Sequence, residues 1–492
     1  VVVCEFTEVA DTAPPELLVS GWGSQYWLYR SGCTTCHAPD YRLIGPSYQE
    51  VASRYEEDDL DDLVATIIEG SSGKWGAQVM IPHPDLPGEA IRSMVRYMLS
   101  WKPANDAEMA NTSAPEPIAD DPSRAVVPGF GSPLTAIHPA YDLQTIRPSW
   151  FYPRVGGMTF ASDGTLYVST WDSIGAVYAL KGVATGDTNQ IEIRRYASGL
   201  AEPLGLEVVD GDLFVMQKHE LTRLIDHDAD GLADEYRVLT DDFGVTPDFH
   251  EFAYEIVYQD GFFFGTLGLA MRLMPHELQH PDRGTVFRVD MSGAFEVVAR
   301  GLRQPNGIGR GPNGDLFISE NQGRWVPACK VIHVQSEDWH GCRLGSGDRF
   351  EGLIMTPPAI WLPQDEIGNS PGEPIYMQDG PYRGQMLLGD VTNGGIKRLF
   401  LEKVDGQYQG AVFRFSQGLE AGVNRLEFGP DGGLYVGGVG MHGGWSHKEA
   451  QYGLQKLVYN GNVPFEVLGI SATSEGFSVQ FTKPLTDSLS DA

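Results

Sequence analysis

Gly307-Ile308-Gly309-Arg310-Gly311-Pro312-Asn313-Gly314-Asp315-Leu316-Phe317-Ile318 decides the fold. It reads as a short strand, a tight turn built on Asn-Gly, and a second strand of alternating aliphatic and aromatic residues. The same pattern recurs along the chain. Gly156-Gly157-Met158-Thr159-Phe160 leads to Leu166-Tyr167-Val168, Gly205-Leu206-Glu207-Val208 to Leu213-Phe214-Val215, and Glu255-Ile256-Val257 to Phe262-Phe263-Phe264. Arg383-Gly384-Gln385 leads to Met386-Leu387-Leu388, and Leu426-Glu427-Phe428 to Leu434-Tyr435-Val436. A period of roughly 50 residues is blade-sized, and such units stack into a ring because one alone cannot bury its apolar face. The pattern therefore predicts an all-β propeller of about six blades.

The flanks of the repeat set the domain expectations. Residues 103–134 are rich in Pro, Ala, Asp and Ser and read as a linker. After Gly461 the pattern changes, and residues 462–492 read as a C-terminal β segment that begins another domain. The expected domains are thus 1–102, a linker at 103–134, a propeller at 135–461, and the segment 462–492.

Ahead of the linker lies Cys33-Thr34-Thr35-Cys36-His37, the c-type haem attachment signature. Two thioethers hold the porphyrin edge and the adjacent histidine reaches the iron. Gln25–Arg30 reads as a helix entering the motif. Val64–Gly70 reads as a second helix stopped by glycine. Ile91, Met94, Val95, Met98 and Leu99 recur at helical spacing.

The 492-residue chain carries a net charge of −31. So acidic a surface repels phosphate backbones, which excludes nucleic acid as a partner. No apolar run reaches the ~20 residues of a membrane helix. Haem of this type implies a periplasmic or extracellular setting, where Cys329 and Cys342 are expected to pair as a disulfide. The Val1–Cys4 stub reads as a signal-peptide remnant, with Cys4 open between lipid anchor and free thiol.

Residues 20–102 resemble a small class I cytochrome c of the bacterial type, through the haem motif, Gly45-Pro46 and Trp75-Gly76 ahead of Met80. The resemblance implies an all-α domain with haem c held by Cys33 and Cys36. It makes His37 and Met80 the iron ligands, has the Pro46 carbonyl fix the His37 imidazole, and sets Trp75 near a haem propionate. His/Met ligation suits electron transfer, with an external protein as electron acceptor or donor. His83, between two prolines, reads as a loop histidine.

Gly301–Gly307 and Asn313–Gly323 are similar to the soluble quinoprotein glucose and sorbosone dehydrogenases, and the likeness extends over residues 140–461. It implies a sugar or alcohol dehydrogenase with pyrroloquinoline quinone and calcium. His250 corresponds to the base, Arg303 and Gln304 to quinone contacts, and the carbonyls of Asn321-Gln322-Gly323 to a calcium loop. The chain departs from the family where basic partners of the cofactor's carboxylates are usual: it has Asp390–Asn393 with Lys397 offset, and Asn424-Arg425 in place of an Arg-x-Arg pair. A propeller without redox cofactor, acting as a binding or assembly module beside the haem, is the alternative. Separately, Asp226, Asp228, Asp230 and Asp234, with Gly231 at the sixth place, read as half of a calcium loop.

Overall fold

The computed structural model describes residues 28, 33, 37, 42, 45–80, 82–84, 86, 88–102, 136–273, 277–322, 326, 328–364, 366–441 and 444–485. Cys4, Cys36, Gly323 and the expected linker lie outside these residues. The chain divides into two compact units, Val1–Pro128 and Gly129–Ala492.

In the first unit, Ser47 starts helix α1 (Tyr48–Arg54) with a reciprocal cap: its hydroxyl accepts from the Glu50 amide and the Glu50 carboxylate accepts from its own amide. Helix α2 (Leu60–Glu69) buries Leu60, Val64 and Ile67. It ends at Gly70, whose φ of +77° only glycine takes readily. A Cβ there would sit 2.7 Å from the Met80 carbonyl oxygen. The chain then forms a hairpin, β1 (Ser71–Gly73) with β2 (Gly76–Met80), pairing Ser71 with Met80. Helix α3 (Gly88–Leu99) closes the unit, with Ile91, Met94 and Val95 facing the core. Helices α2 and α3 fall where the apolar spacing predicts. Of Gln25–Arg30 only Leu28 is described, helical and buried.

The second unit is all β. Strand β3 (Tyr141–Thr145) opens it. Then come β4 (Val155–Phe160), β5 (Leu166–Thr170), β6 (Val177–Lys181) and β7 (Glu192–Ala197), forming one four-stranded antiparallel sheet. A second sheet holds β8 (Gly205–Val209), β9 (Asp212–Met216), β10 (Leu221–Ile225) and β11 (Glu235–Thr240), and a third β12 (Ala253–Gln259), β13 (Phe262–Leu267), β14 (Thr285–Asp290) and β15 (Phe295–Arg300). The fourth has β16 (Gly307–Arg310), β17 (Leu316–Glu320), β18 (Ala328–His333) and β19 (Ile360–Pro363), and the fifth β20 (Pro371–Tyr376), β21 (Met386–Asp390), β22 (Ile396–Val404) and β23 (Gln407–Ser416). The last comprises β24 (Gly422–Phe428), β25 (Leu434–Val439) and β26 (Tyr452–Tyr459), with β3 paired on β26 as its fourth strand.

Each sheet's first strand contacts the next, from β4 through β8, β12, β16 and β20 to β24, and β24 returns to β4. Apolar clusters fill the spaces between neighbouring sheets. Two-residue turns with both φ positive join β8 to β9 (Asp210, Gly211) and β12 to β13 (Asp260, Gly261), the geometry that suits strand twist.

Two expectations need correction. The first strand of the fifth sheet is Pro371–Tyr376, not Arg383–Gln385, which lies in the turn before β21. Pro371 and Pro374 cannot donate to a ladder and flank a register shift, so the strand has no ordinary strand pattern. Cys329 and Cys342 do not form a disulfide; both are buried free thiols. The Cys329 Sγ lies 3.6 Å from Asn321 Oδ1 and from Gln322 Oε1, whereas Cys342 lies in the β18–β19 loop against Arg303 and Trp339.

After the ring, β27 (Val467–Thr473) and β28 (Gly476–Phe481) form a hairpin that contacts β22 and β23. The buried Arg398 guanidinium donates to the Val467 and Leu468 carbonyls, and Gln385 donates to Leu468 as well. No helix among the described residues is long and apolar enough to cross a membrane.

Candidate active site

Two sites emerge, one in each unit. In the first, the His37 Nδ1 is 2.6 Å from the Pro46 carbonyl oxygen. A carbonyl only accepts, so Nδ1 carries the proton and Nε2 keeps its lone pair for a metal. Burial lowers the His37 pKa, with the Pro46 contact opposing. The His37 amide donates to the Cys33 carbonyl one turn back. A Cβ on Gly45 would meet His37 Cε1 at 2.4 Å, so glycine is what lets the loop lie against the ring. Cys33 and Met80 both pack on the cluster of Leu28, Val64, Ile91 and Met94. Trp75 is flanked by guanidiniums: Arg54 Cζ is 4.7 Å and Arg42 Cζ 5.8 Å from its ring centroid. Arg42 also donates to the Trp75 carbonyl and pairs with Glu50. The His83 amide donates to the Ile67 carbonyl.

In the second unit, a cavity of about 270 Å³ opens where the first strands begin and the second strands end. His250, Arg303, Gln304 and Gln322 line it together, with Asn306, Asn321, Ser370, Thr392 and Asn424 adding amides and hydroxyls. Trp171 and Trp445 stand at one side, ring centroids 5.0 Å apart.

The His250 amide donates to Asp248 Oδ1, while its Nδ1 is buried without a hydrogen-bond partner. Burial lowers the His250 pKa; Asp248 opposes this, and Arg272, Arg303 and Lys218 reinforce it. The ring is therefore a neutral base at neutral pH. The Arg303 backbone is held by Glu320, whose Oε1 accepts from its amide at 2.9 Å; the Arg303 Nε is buried without an acceptor. Gln304 is engaged at both ends, its Oε1 accepting from the Tyr254 hydroxyl and its Nε2 donating to the Leu269 carbonyl.

The two offset basic residues point elsewhere. Lys397 is buried against Asp390 at 3.5 Å and donates to the Gly394 carbonyl. Arg425 pairs with Glu255 and donates to the Leu204 carbonyl. Of the aspartates at 226–234, Asp226, Asp228 and Asp234 bring oxygens within 4.8 Å of one another on the β10–β11 loop. Asp230 turns aside, accepting from the Leu232 amide and facing Arg194. None of the four lines the cavity.

Known proteins match the two units differently. The cytochrome c family model matches residues 26–102. Cytochrome c-551 of Azotobacter vinelandii is 41% identical over 78 residues, which are 15% of this chain and 94% of that protein. Cytochrome c-551 of Allochromatium vinosum is 38% identical over 72 residues, 14% of this chain and 77% of that one. The chain belongs to the cytochrome c family. This cytochrome c therefore carries haem c and transfers electrons. For the fold of its second unit, a Thermus thermophilus oxidoreductase described as a glucose dehydrogenase is similar at TM-score 0.51 and 18% identity, covering 65% of this chain and 100% of that one. The holo PQQ domain of Coprinopsis cinerea pyranose dehydrogenase is similar at TM-score 0.51 and 12% identity, covering 66% and 97%. The cytochrome c thus joins a small helical domain to a large all-β region that matches quinone-dependent dehydrogenase propellers in fold.

Sequence reasoning missed the cavity floor of this cytochrome c. Asn306 Nδ2 donates to Asn424 Oδ1 at 3.0 Å across 118 residues of chain, and Arg425 donates to both side chains from below. A lone asparagine carries no motif; its position just before a repeat strand was the available signal.

Proposed function

We propose that the chain is a periplasmic or extracellular oxidoreductase that oxidises a sugar or alcohol in the cavity of its all-β unit and delivers the electrons to its haem. The six four-stranded sheets are read as the six blades of a propeller. The observation that carries the proposal is a neutral His250 and an unpaired Arg303 facing one polar cavity, in a chain with an electron-transfer haem.

His250 takes the proton of the substrate hydroxyl, which its lowered pKa leaves it free to do. Arg303 orients the oxidant through its guanidinium. The amide of Gln322 and the hydroxyls of Ser370 and Thr392 hold polar groups of substrate or cofactor. A pyrroloquinoline quinone, an acceptor-rich anion, would be held by the Arg303 guanidinium, with Gln304 lining the cavity beside it. When bound it supplies the hydride acceptor. Calcium belongs at the Asn321-Gln322-Gly323 turn, and a structural calcium at Asp226, Asp228 and Asp234. In the first unit Cys33 and Cys36 attach the haem, His37 and Met80 ligate the iron, and Trp75 stands by a propionate. The net charge of −31 suits a basic external electron acceptor.

One observation favours the alternative of a binding or assembly module: Lys397 and Arg425 are committed to Asp390 and Glu255, leaving Arg303 as the one arginine or lysine among the described lining residues. Visible absorption separates the two. The oxidised protein is incubated with calcium and the quinone, then given aldoses and alcohols. Haem reduction that requires both quinone and substrate, and is lost in His250→Ala, is expected. A haem that dithionite reduces but no substrate does, with no quinone retained, overturns the dehydrogenase reading.

A further inference from the structure

Beside the cavity lies a larger one of about 510 Å³, formed largely by the loop between β18 and β19. Arg303 lines both. The second cavity has an apolar wall of Leu344, Met355 and the buried Trp339. Arg343, exposed, stacks its guanidinium 4.6 Å from the Trp339 ring centroid.

The charge balance here runs against that of the whole chain. Among 66 aspartates and glutamates, none lines either cavity within the described residues, whereas two arginines do. Neither guanidinium has an ion-pair partner among the described residues. Behind Arg303 stands Glu320, whose Oε1 accepts from the Arg303 and Gln304 backbone amides and whose Oε2 is buried without a hydrogen-bond partner. Two guanidiniums in a pocket lined by no carboxylate among the described residues are complementary to an acceptor-rich anion.

We infer that the side pocket is a carboxylate subsite and that the ligand spanning the two cavities is a sugar acid of the uronate class. The carboxylate lies between Arg303 and Arg343. The ring lies on Trp339 and Met355, and the hydroxyls reach Ser370 and Thr392 in the first cavity. This names the substrate class for the proposed function and rests on that reading only for turnover; binding stands on the pocket itself.

The test is calorimetric binding to the full haem-loaded chain, comparing D-glucuronate with D-glucose, which differ by one carboxylate. Glucuronate is expected to bind about tenfold more tightly, the scale of one charge-assisted pair. The advantage is expected to shrink with added salt, to be lost in Arg343→Gln and in Met355→Glu, and to return in part in Arg343→Lys. It is also expected to persist when the chain is saturated with pyrroloquinoline quinone, which separates a substrate's carboxylate from the cofactor's. Equal affinity for the two sugars, no binding of either, an advantage unmoved by both Arg343→Gln and Met355→Glu, or displacement by the quinone overturns the inference. Since haem reduction is not the readout, a chain that binds glucuronate yet never reduces its haem keeps the subsite and loses the dehydrogenase reading.

Discussion

His250 owes its protonation state to its neighbours more than to its own chemistry. Burial depresses its pKa, three cations add to that, and Asp248 alone works the other way. The neutral form therefore persists below the ordinary imidazole pKa of about 6.5. If His250 is the base, substrate-dependent haem reduction will hold level as pH falls through 6.5 and decline only below it. Asp248→Asn removes the one influence favouring the imidazolium, so it will move the acid limb of the pH–rate profile to still lower pH. An acid limb unmoved by that substitution would assign the proton transfer to another group. That His250 and Arg303 line the cavity was legible only as an expectation, because each stands in a recognisable segment. Asn306 and Asn424 were not, because an amide has no signature until a partner 118 residues away is folded against it.

At the scale of elements, turn chemistry and aliphatic alternation place β4, β5, β8, β9, β12, β13, β16, β17, β24 and β25, since Asp-Gly and Asn-Gly turns fix both register and hand. Strand β20 escapes that logic through its prolines, and its neighbour loop between β18 and β19 conceals a further feature. His340 in this loop is 1% exposed and its pKa is pushed down to about 4 by burial, with the Lys330 ammonium adding to the effect. The unfolded chain takes up a proton near pH 6.5, while the folded chain resists until about pH 4. Folding thus binds fewer protons in that window, and stability falls as pH drops through it, by up to about 3 kcal/mol. Urea unfolding of the parent chain and of His340→Gln from pH 7 to pH 4 will show this as a difference: the variant will gain stability relative to the parent as pH falls through that window. An unchanged slope in the variant would mean that His340 is already charged in the folded chain.

Over the whole molecule, composition reads out the class but not the interior. A net charge of −31 speaks of the surface, yet four glutamates stand where the first strands converge: Glu207 on β8, Glu255 on β12, Glu373 on β20 and Glu427 on β24. Facing them are Arg310 on β16, 3.4 Å from Glu207, and Arg425 on β24, paired with Glu255. No repeat pattern announces this, because each acid sits in an ordinary strand and the cluster exists only once the ring forms. Four carboxyls against two guanidiniums cannot all ionise cheaply away from bulk water. Burial raises each of them, neighbouring carboxylates add to the rise at Glu255, Glu373 and Glu427, and Glu427 is pushed up to about 8. The folded chain then keeps a proton that the unfolded chain releases near the usual carboxylate pKa. Raising the pH through the folded value strips it, so stability falls toward alkaline pH. For Glu427 alone, the loss between pH 7 and pH 9 is about 1 kcal/mol. The urea midpoint of the all-β unit will therefore drop over that range, above the window in which His340 titrates. Glu427→Gln, which keeps the shape and cannot ionise, will hold the midpoint more nearly constant; a drop as large as in the parent chain would assign the proton to one of the other three glutamates.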